Sequence, residues 1–215
     1  NILLEKNDVN HQELFKAFKF LYSHQIINIL QTLDSEFSEI ELLVNDKIII
    51  NALKKLNFSD ISLENILTQA RKNLCNRIEK NTEKISEAEL KFVIALGEQC
   101  FLNEYVYSLT EEENLSLNII INRLINGEIN ETLISILSCY FPLYKLLEQI
   151  PSLKYFNFSD KSLTELIKLQ IFEPLQEIEL SKKIKQLGSF NDEVSQKVKS
   201  QYEENPYPRW RYRFS

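Results

Sequence analysis

Asp60-Ile61-Ser62-Leu63-Glu64-Asn65-Ile66-Leu67-Thr68-Gln69-Ala70-Arg71-Lys72-Asn73-Leu74-Cys75-Asn76-Arg77-Ile78-Glu79-Lys80 is the stretch whose reading decides the fold. Ile61, Leu63, Ile66, Leu67, Ala70, Leu74 and Ile78 fall mostly at three- and four-residue steps, the period of a helix with one buried side. Asp60 stands where a side-chain oxygen caps the first turn. The spacing therefore predicts a long helix from Asp60 to about Lys80.

The same period extends outward in both directions. Upstream, Leu14, Phe15, Phe18, Leu21, Tyr22, Ile26, Ile29, Leu30 and Leu33 predict an amphipathic helix from His11 to about Leu33. Ser38 and Glu41 open a short helical or irregular piece. Ile48 to Leu56 reads as another short helix, because an isolated triple isoleucine is a weak strand signal. Downstream, Ser86 with Glu89 and Thr110 with Glu113 have the spacing of capping boxes, in which each side chain satisfies a backbone N–H at the start of a helix. The first box predicts a helix to about Tyr107. The second predicts one from Glu111 to Asn126, stopped by Gly127 in a left-handed cap. Asn130 starts a helix ending near Phe141, before Pro142, and Leu143 to Gln149 is a shorter one ahead of Pro151. Ser162 and Glu165 suggest a further box, opening a helix that Pro174 should kink or end. Asn191 to Glu204 reads as a polar terminal helix. The sum is an all-α domain, an irregular array of about eight helices.

Composition agrees. The chain has 215 residues, 44% of them hydrophobic, enough for one substantial core without a metal or disulfide staple. It has three glycines and five prolines. Nucleotide-binding folds spend glycines on tight turns and on close approach to phosphate, so a complete cofactor-binding domain is not expected within these residues. A net charge of -6 opposes a general polyanion-binding surface, since phosphate recognition depends on Lys and Arg. Cys75, Cys100 and Cys139 are scattered, and His11 and His24 lie far from them, so neither metal spacing nor a disulfide framework is expected. No apolar run reaches the ~18 residues of a membrane span and no signal peptide is visible, which suggests a cytoplasmic protein. The sequence starts at Asn1 and contains no methionine, so we read it as a segment of a longer polypeptide.

One stretch occurs twice. Asn57-Phe58-Ser59-Asp60 and Asn157-Phe158-Ser159-Asp160 each precede a Ser-Leu pair and a helix. Repeated capping chemistry accounts for this more simply than duplication. Glu111, Glu112 and Glu113 likewise read as acids at a helix start rather than as metal ligands. Cys100 and Cys139 fall on apolar faces and read as buried, inert thiols.

The end of the chain, Gln201-Tyr202-Glu203-Glu204-Asn205-Pro206-Tyr207-Pro208-Arg209-Trp210, differs in kind. Two prolines force Asn205 and Tyr207 into extended geometry and stop the preceding helix. In a polyproline conformation Tyr207 and Trp210 share a face. Arg209, Arg211 and Arg213 then alternate with Trp210, Tyr212 and Phe214, giving an extended chain a cationic and an aromatic side. A linker packing on a neighbouring domain is the favoured reading; nucleic-acid stacking is disfavoured by the acidic domain it is attached to.

Tyr-Glu-Glu-Asn-Pro-Tyr-Pro-Arg-Trp at 202–210 resembles the segment just before the catalytic domain in a family of bacterial S-adenosylmethionine-dependent methyltransferases, often fused to tetratricopeptide repeats. Asp60 to Thr68, Gln99 to Tyr107 and Ile171 to Glu177 are similar to other segments of that family, in the expected order. The resemblance implies a helical accessory domain over 1–204 and an extended linker over 205–215 toward a catalytic domain beyond Ser215. It implies no catalytic residue and no cofactor in this chain, with S-adenosylmethionine held by the full-length protein. The partner it implies is the protein's own catalytic domain or a protein or peptide substrate, with no metal and no membrane. Residues 1–40 lack the small and aromatic positions of a tetratricopeptide repeat.

The candidate interdomain or substrate contacts are Asn103, Glu104, Tyr107, Asn205, Tyr207, Arg209 and Trp210. On a continuous helix, Gln99, Asn103 and Tyr107 line up at four-residue steps within an apolar surface, and such polar groups need partners. Glu104 and Arg209 are a possible pair. The rival function is a stand-alone, non-enzymatic helical protein-interaction module.

Overall fold

Local capping chemistry sets most of the element boundaries. A computed structural model of the chain describes residues 10–32, 43–58, 60–80 and 85–183, together with residues 4, 196 and 197. The described residues form eight α-helices and no strand, the all-α fold expected. These are α1 (His11–Thr32), α2 (Lys47–Lys55), α3 (Ile61–Lys80), α4 (Glu87–Leu102), α5 (Glu111–Ile125), α6 (Glu131–Leu137), α7 (Lys161–Ile167) and α8 (Glu173–Ser181). Two 3₁₀ turns, Leu143–Glu148 and Pro151–Tyr155, join α6 to α7. The predicted piece at Ser38 and Glu41, the terminal helix Asn191 to Glu204 and the linker 205–215 lie outside the described residues.

Each cap does two jobs. Asp60 accepts from the N–H groups of Ser62 and Leu63 at 3.1 and 3.2 Å and also pairs with Lys19 of α1. Asp46 caps α2 through Ile48 N–H at 2.7 Å and accepts from the Tyr22 hydroxyl at 2.7 Å. Thus α1 is tied to the starts of α2 and α3 as well as burying Phe18, Tyr22, Ile26 and Ile29. Both boxes, Ser86 with Glu89 and Thr110 with Glu113, form reciprocally. In each copy of the Asn-Phe-Ser-Asp stretch the aspartate is the helix cap.

Helix α4 is the centre of the molecule. Every residue from Phe92 to Asn103 is buried, so this helix is covered on all sides. It packs against α2, α3, α6 and α7, while α5 lies against α3 and α6. Gly97 permits the closest approach: a Cβ there would stand 2.0 Å from Ser138 Oγ and 3.1 Å from Ser138 Cβ. The main-chain oxygens of Gly97 and Ser138 both accept from Gln170 Nε2, at 2.9 and 3.0 Å. This one side chain joins three segments.

Several boundaries differ from those predicted. Helix α4 stops at Leu102, not near Tyr107, because residues 103–105 form a reversing turn. The α7 cap is Asp160, bonded to Leu163 N–H at 3.1 Å, in place of a Ser162 and Glu165 box. Helix α6 ends at Leu137, ahead of a turn over 138–140. Pro174 does not end its helix: a π turn over Lys168–Phe172 precedes α8, and a wider turn absorbs the donor that proline lacks. Ile61 and Leu21, assigned to buried faces, are exposed at 76% and 71%.

Candidate functional site

The turn that ends α4 lies against a seam of buried polar side chains. Helix α3 contributes Arg71, α5 contributes Glu113, and the turn after α6 contributes Tyr140. Arg71 and Glu113 are 1% and 0% exposed. Arg71 Nη2 lies 3.2 Å from Glu113 Oε1 and donates to Ser108 O at 2.6 Å. The Tyr140 hydroxyl donates to the same carboxylate oxygen at 2.9 Å, and the guanidinium carbon stands 4.3 Å from the Tyr140 ring centroid. Glu113 Oε2 meanwhile accepts from Thr110 N–H at 2.9 Å and from the Thr110 hydroxyl at 3.0 Å. The capping-box glutamate is therefore also the counter-ion of a buried arginine.

Burial pushes the Glu113 carboxyl pKa up, but the Thr110 N–H, the Tyr140 hydroxyl and Arg71 outweigh it and hold the carboxyl below its usual value. Burial works against the Arg71 charge too; the surrounding groups overcome it and raise its pKa. Tyr140 is pushed well above the ordinary tyrosine value, first by burial. Around this pair the three thiols are all 0% exposed and free. Burial raises Cys75 to about 11 and takes Cys139 well above its ordinary value, as inert thiols require. The seam holds a fixed pair of opposite charges; it contains no activated nucleophile.

Of the predicted site residues, Asn103, Glu104 and Tyr107 are brought to this place, though not on one helical face. Asn103 is the C-cap of α4. Tyr105 N–H bonds to Cys100 O at 2.8 Å and Glu104 N–H to Phe101 O at 3.3 Å, the two bonds of a Schellman turn. Such turns favour glycine in the left-handed position, and at the end of α5 Gly127 fills it with φ 92°. Here Glu104 and Tyr105 occupy it in succession, with φ 57° and 56°. Two left-handed non-glycine residues cost about 1–2 kcal/mol each. Tyr107 is 4% exposed, and its ring centroid is 6.0 Å from the Arg71 guanidinium carbon. Its hydroxyl lies beside the Asn103 amide without forming a well-shaped hydrogen bond.

Gln99 behaves differently. With its amide nitrogen turned toward the end of α2 it donates to Leu53 O at 2.8 Å and Leu56 O at 2.6 Å, and its oxygen accepts from Phe58 N–H at 3.1 Å. It binds main chain.

Asn205, Tyr207, Arg209 and Trp210 lie outside the described residues, as does the proposed pairing of Arg209 with Glu104. Sequence reasoning missed Arg71, Glu113 as its partner, and Tyr140. A signal was present: Arg71 stands one turn from Leu67 and Cys75 on the apolar stripe of α3, where a charged side chain demands a buried counter-charge.

Among the described residues no group of three or more His, Cys, Asp or Glu is placed to hold a metal ion, and no helix is long and apolar enough to cross a membrane. Neither described glycine forms a cradle for a cofactor: Gly97 is packed against Ser138, and Gly127 caps a helix in open space. The described residues thus do not fit S-adenosylmethionine.

No family model and no solved structure matches the chain. The tubulin gamma chain of the Guillardia theta nucleomorph is 28% identical to it over 95 residues, which is 44% of this chain. The match spans 22% of the length of that tubulin. A match covering so little of either protein assigns no family.

Proposed function

We propose that this chain is the helical accessory domain of an S-adenosylmethionine-dependent methyltransferase, placing a methyl acceptor or a second subunit against a catalytic domain that follows it. The observation that carries the reading is the Tyr202 to Trp210 motif, with its two prolines and invariant-φ backbone leading out of a polar segment. Three further segments that resemble the same family support it, and two of these occupy structurally central positions. Gln99 to Tyr107 spans the end of the central helix and its strained turn; Ile171 to Glu177 runs from the π turn into α8.

On this reading the helical domain does no chemistry. Its contribution is positional: α4 holds the 103–107 turn at an exposed edge, with Val106 and Leu109 outermost at 61% and 46% exposure. The arginine and glutamate beneath the turn fix α3, α5 and the end of α6 relative to one another. The cofactor and the reacting atoms belong to the following domain.

The test is methyl transfer from tritiated S-adenosylmethionine by the polypeptide that the native reading frame encodes, compared with the same polypeptide lacking residues 1–204. The reading predicts S-adenosylmethionine binding by both and loss of acceptor methylation in the shortened form. Equal acceptor methylation by the two, or no methyl transfer by either, would refute it.

A further inference from the structure

Asn103 is 2% exposed, yet neither its Oδ1 nor its Nδ2 makes a hydrogen bond to the protein. The Tyr107 hydroxyl and Arg71 Nε, in the same cluster, are also without a protein partner. Buried amides in native proteins are satisfied with few exceptions, and an apolar residue at Asn103 would avoid the penalty altogether. Gln99, one turn earlier on the same helix and equally buried, shows how this molecule uses a carboxamide: it takes two main-chain carbonyls and one main-chain N–H. Asn103 offers the same donor and acceptor, with no main chain of this protein to receive them.

The cover over Asn103 is the turn Glu104 to Tyr107, and it is held shut at a cost. Glu104 and Tyr105 are both left-handed, so swinging the turn outward releases strain that a glycine turn would not store. The rim is apolar, with Val106 and Leu109 outermost, and the chain carries a net charge of -6. Such a rim suits the alternating side chains of an extended peptide and opposes a polyanion. A residue in an extended chain presents its own N–H and C=O on the same side, the pair that one carboxamide can engage.

We propose that Asn103, with the Tyr107 hydroxyl beside it, binds the backbone of an extended peptide that enters when the 104–107 turn opens. As an account of the methyl acceptor this rests on the reading above and makes that acceptor a polypeptide; as a binding site it stands without the catalytic domain.

The experiment uses the ¹⁵N-labelled 215-residue chain and follows the Asn103 side-chain amide signals during titration with acetyl-Thr-Val-Lys-Val-Thr-amide. The expected result is a saturable shift that weakens at least tenfold when the peptide backbone is N-methylated. Asn103→Leu should weaken peptide binding by at least tenfold while raising the thermal midpoint, by about 2–4 °C. Glu104→Gly, which relieves the closed turn, should also weaken binding while leaving both Asn103 atoms in place. No shift, an equal response to the N-methylated peptide, a shift produced by adenosine instead, or a lowered midpoint in Asn103→Leu would overturn the proposal. A chain that binds the peptide in this way, in a reading frame with no methyltransferase domain, retains the site and loses only the enzymatic assignment.

Discussion

Replacing Glu113 by glutamine tests the seam with little change of shape. The carboxylate receives four donors, Arg71 and Tyr140 on one oxygen and the N–H and hydroxyl of Thr110 on the other. A glutamine has one oxygen, so whichever way its amide turns, two of the four donors face another donor. Arg71, 1% exposed, also loses its counter-charge. Removing one partner of a buried pair costs about 3–5 kcal/mol. For a chain of this size that lowers the thermal midpoint by roughly 6–20 °C.

The pH dependence gives a second readout. The folded carboxyl titrates below its ordinary value of 4.5, so its stabilising effect is complete above the unfolded pKa and is lost as pH falls through the lower folded one. The difference between wild type and Glu113→Gln should therefore be constant near neutrality and shrink below about pH 4.5. Glu89, whose carboxyl is also held low, is present in both proteins and cancels in the difference. Circular-dichroism melts at pH 7, 5, 4 and 3 make the measurement. A variant within about 1 kcal/mol of wild type at pH 7, or a gap that persists at pH 3, would show that the pair is a surface-like contact and the seam argument is wrong.

Two further substitutions probe the elements that hold the turn. Gly97→Ala places a Cβ 2.0 Å from Ser138 Oγ, and the overpacking outweighs the gain in helix propensity, for a net loss of about 1–2 kcal/mol in urea denaturation. Adding Ser138→Ala removes that oxygen and should recover most of the loss; additive effects would contradict the close approach. Glu104→Gly supplies the residue that the left-handed position favours, and its unfolding midpoint should rise by an amount equivalent to about 0.5–1 kcal/mol. A fall would mean that the Glu104 side chain holds the turn more strongly than its backbone conformation strains it.

The features legible in the sequence were those decided within a few residues. Asp60, the Ser86 and Glu89 box, the Thr110 and Glu113 box and Gly127 each act through backbone groups of the adjacent turn, and each lies where spacing placed it. The end of α4 was not legible, because its reversing turn is built with Glu104 where the signal would be a glycine, and the apolar pattern runs on past Leu102. The π turn before Pro174 was hidden for a related reason: proline announces a break, and a widened turn lets the helix continue. The seam joins Arg71, Glu113 and Tyr140 across three helical regions, and no local rule connects positions so far apart in the chain. Asn103 was singled out correctly as a polar group in need of a partner, but its isolation emerges only once the neighbouring Gln99 is seen to have found main chain to bind.

The central claim, that a helical scaffold serves a separate methyl-transferring unit, is tested most directly by calorimetric titration of S-adenosylmethionine into two proteins. One is the 215-residue chain; the other is the polypeptide that the native reading frame encodes through and beyond Ser215. The account predicts heat of binding from the second and none from the first. Binding by the 215-residue chain itself, or a frame that closes at Ser215, would contradict it.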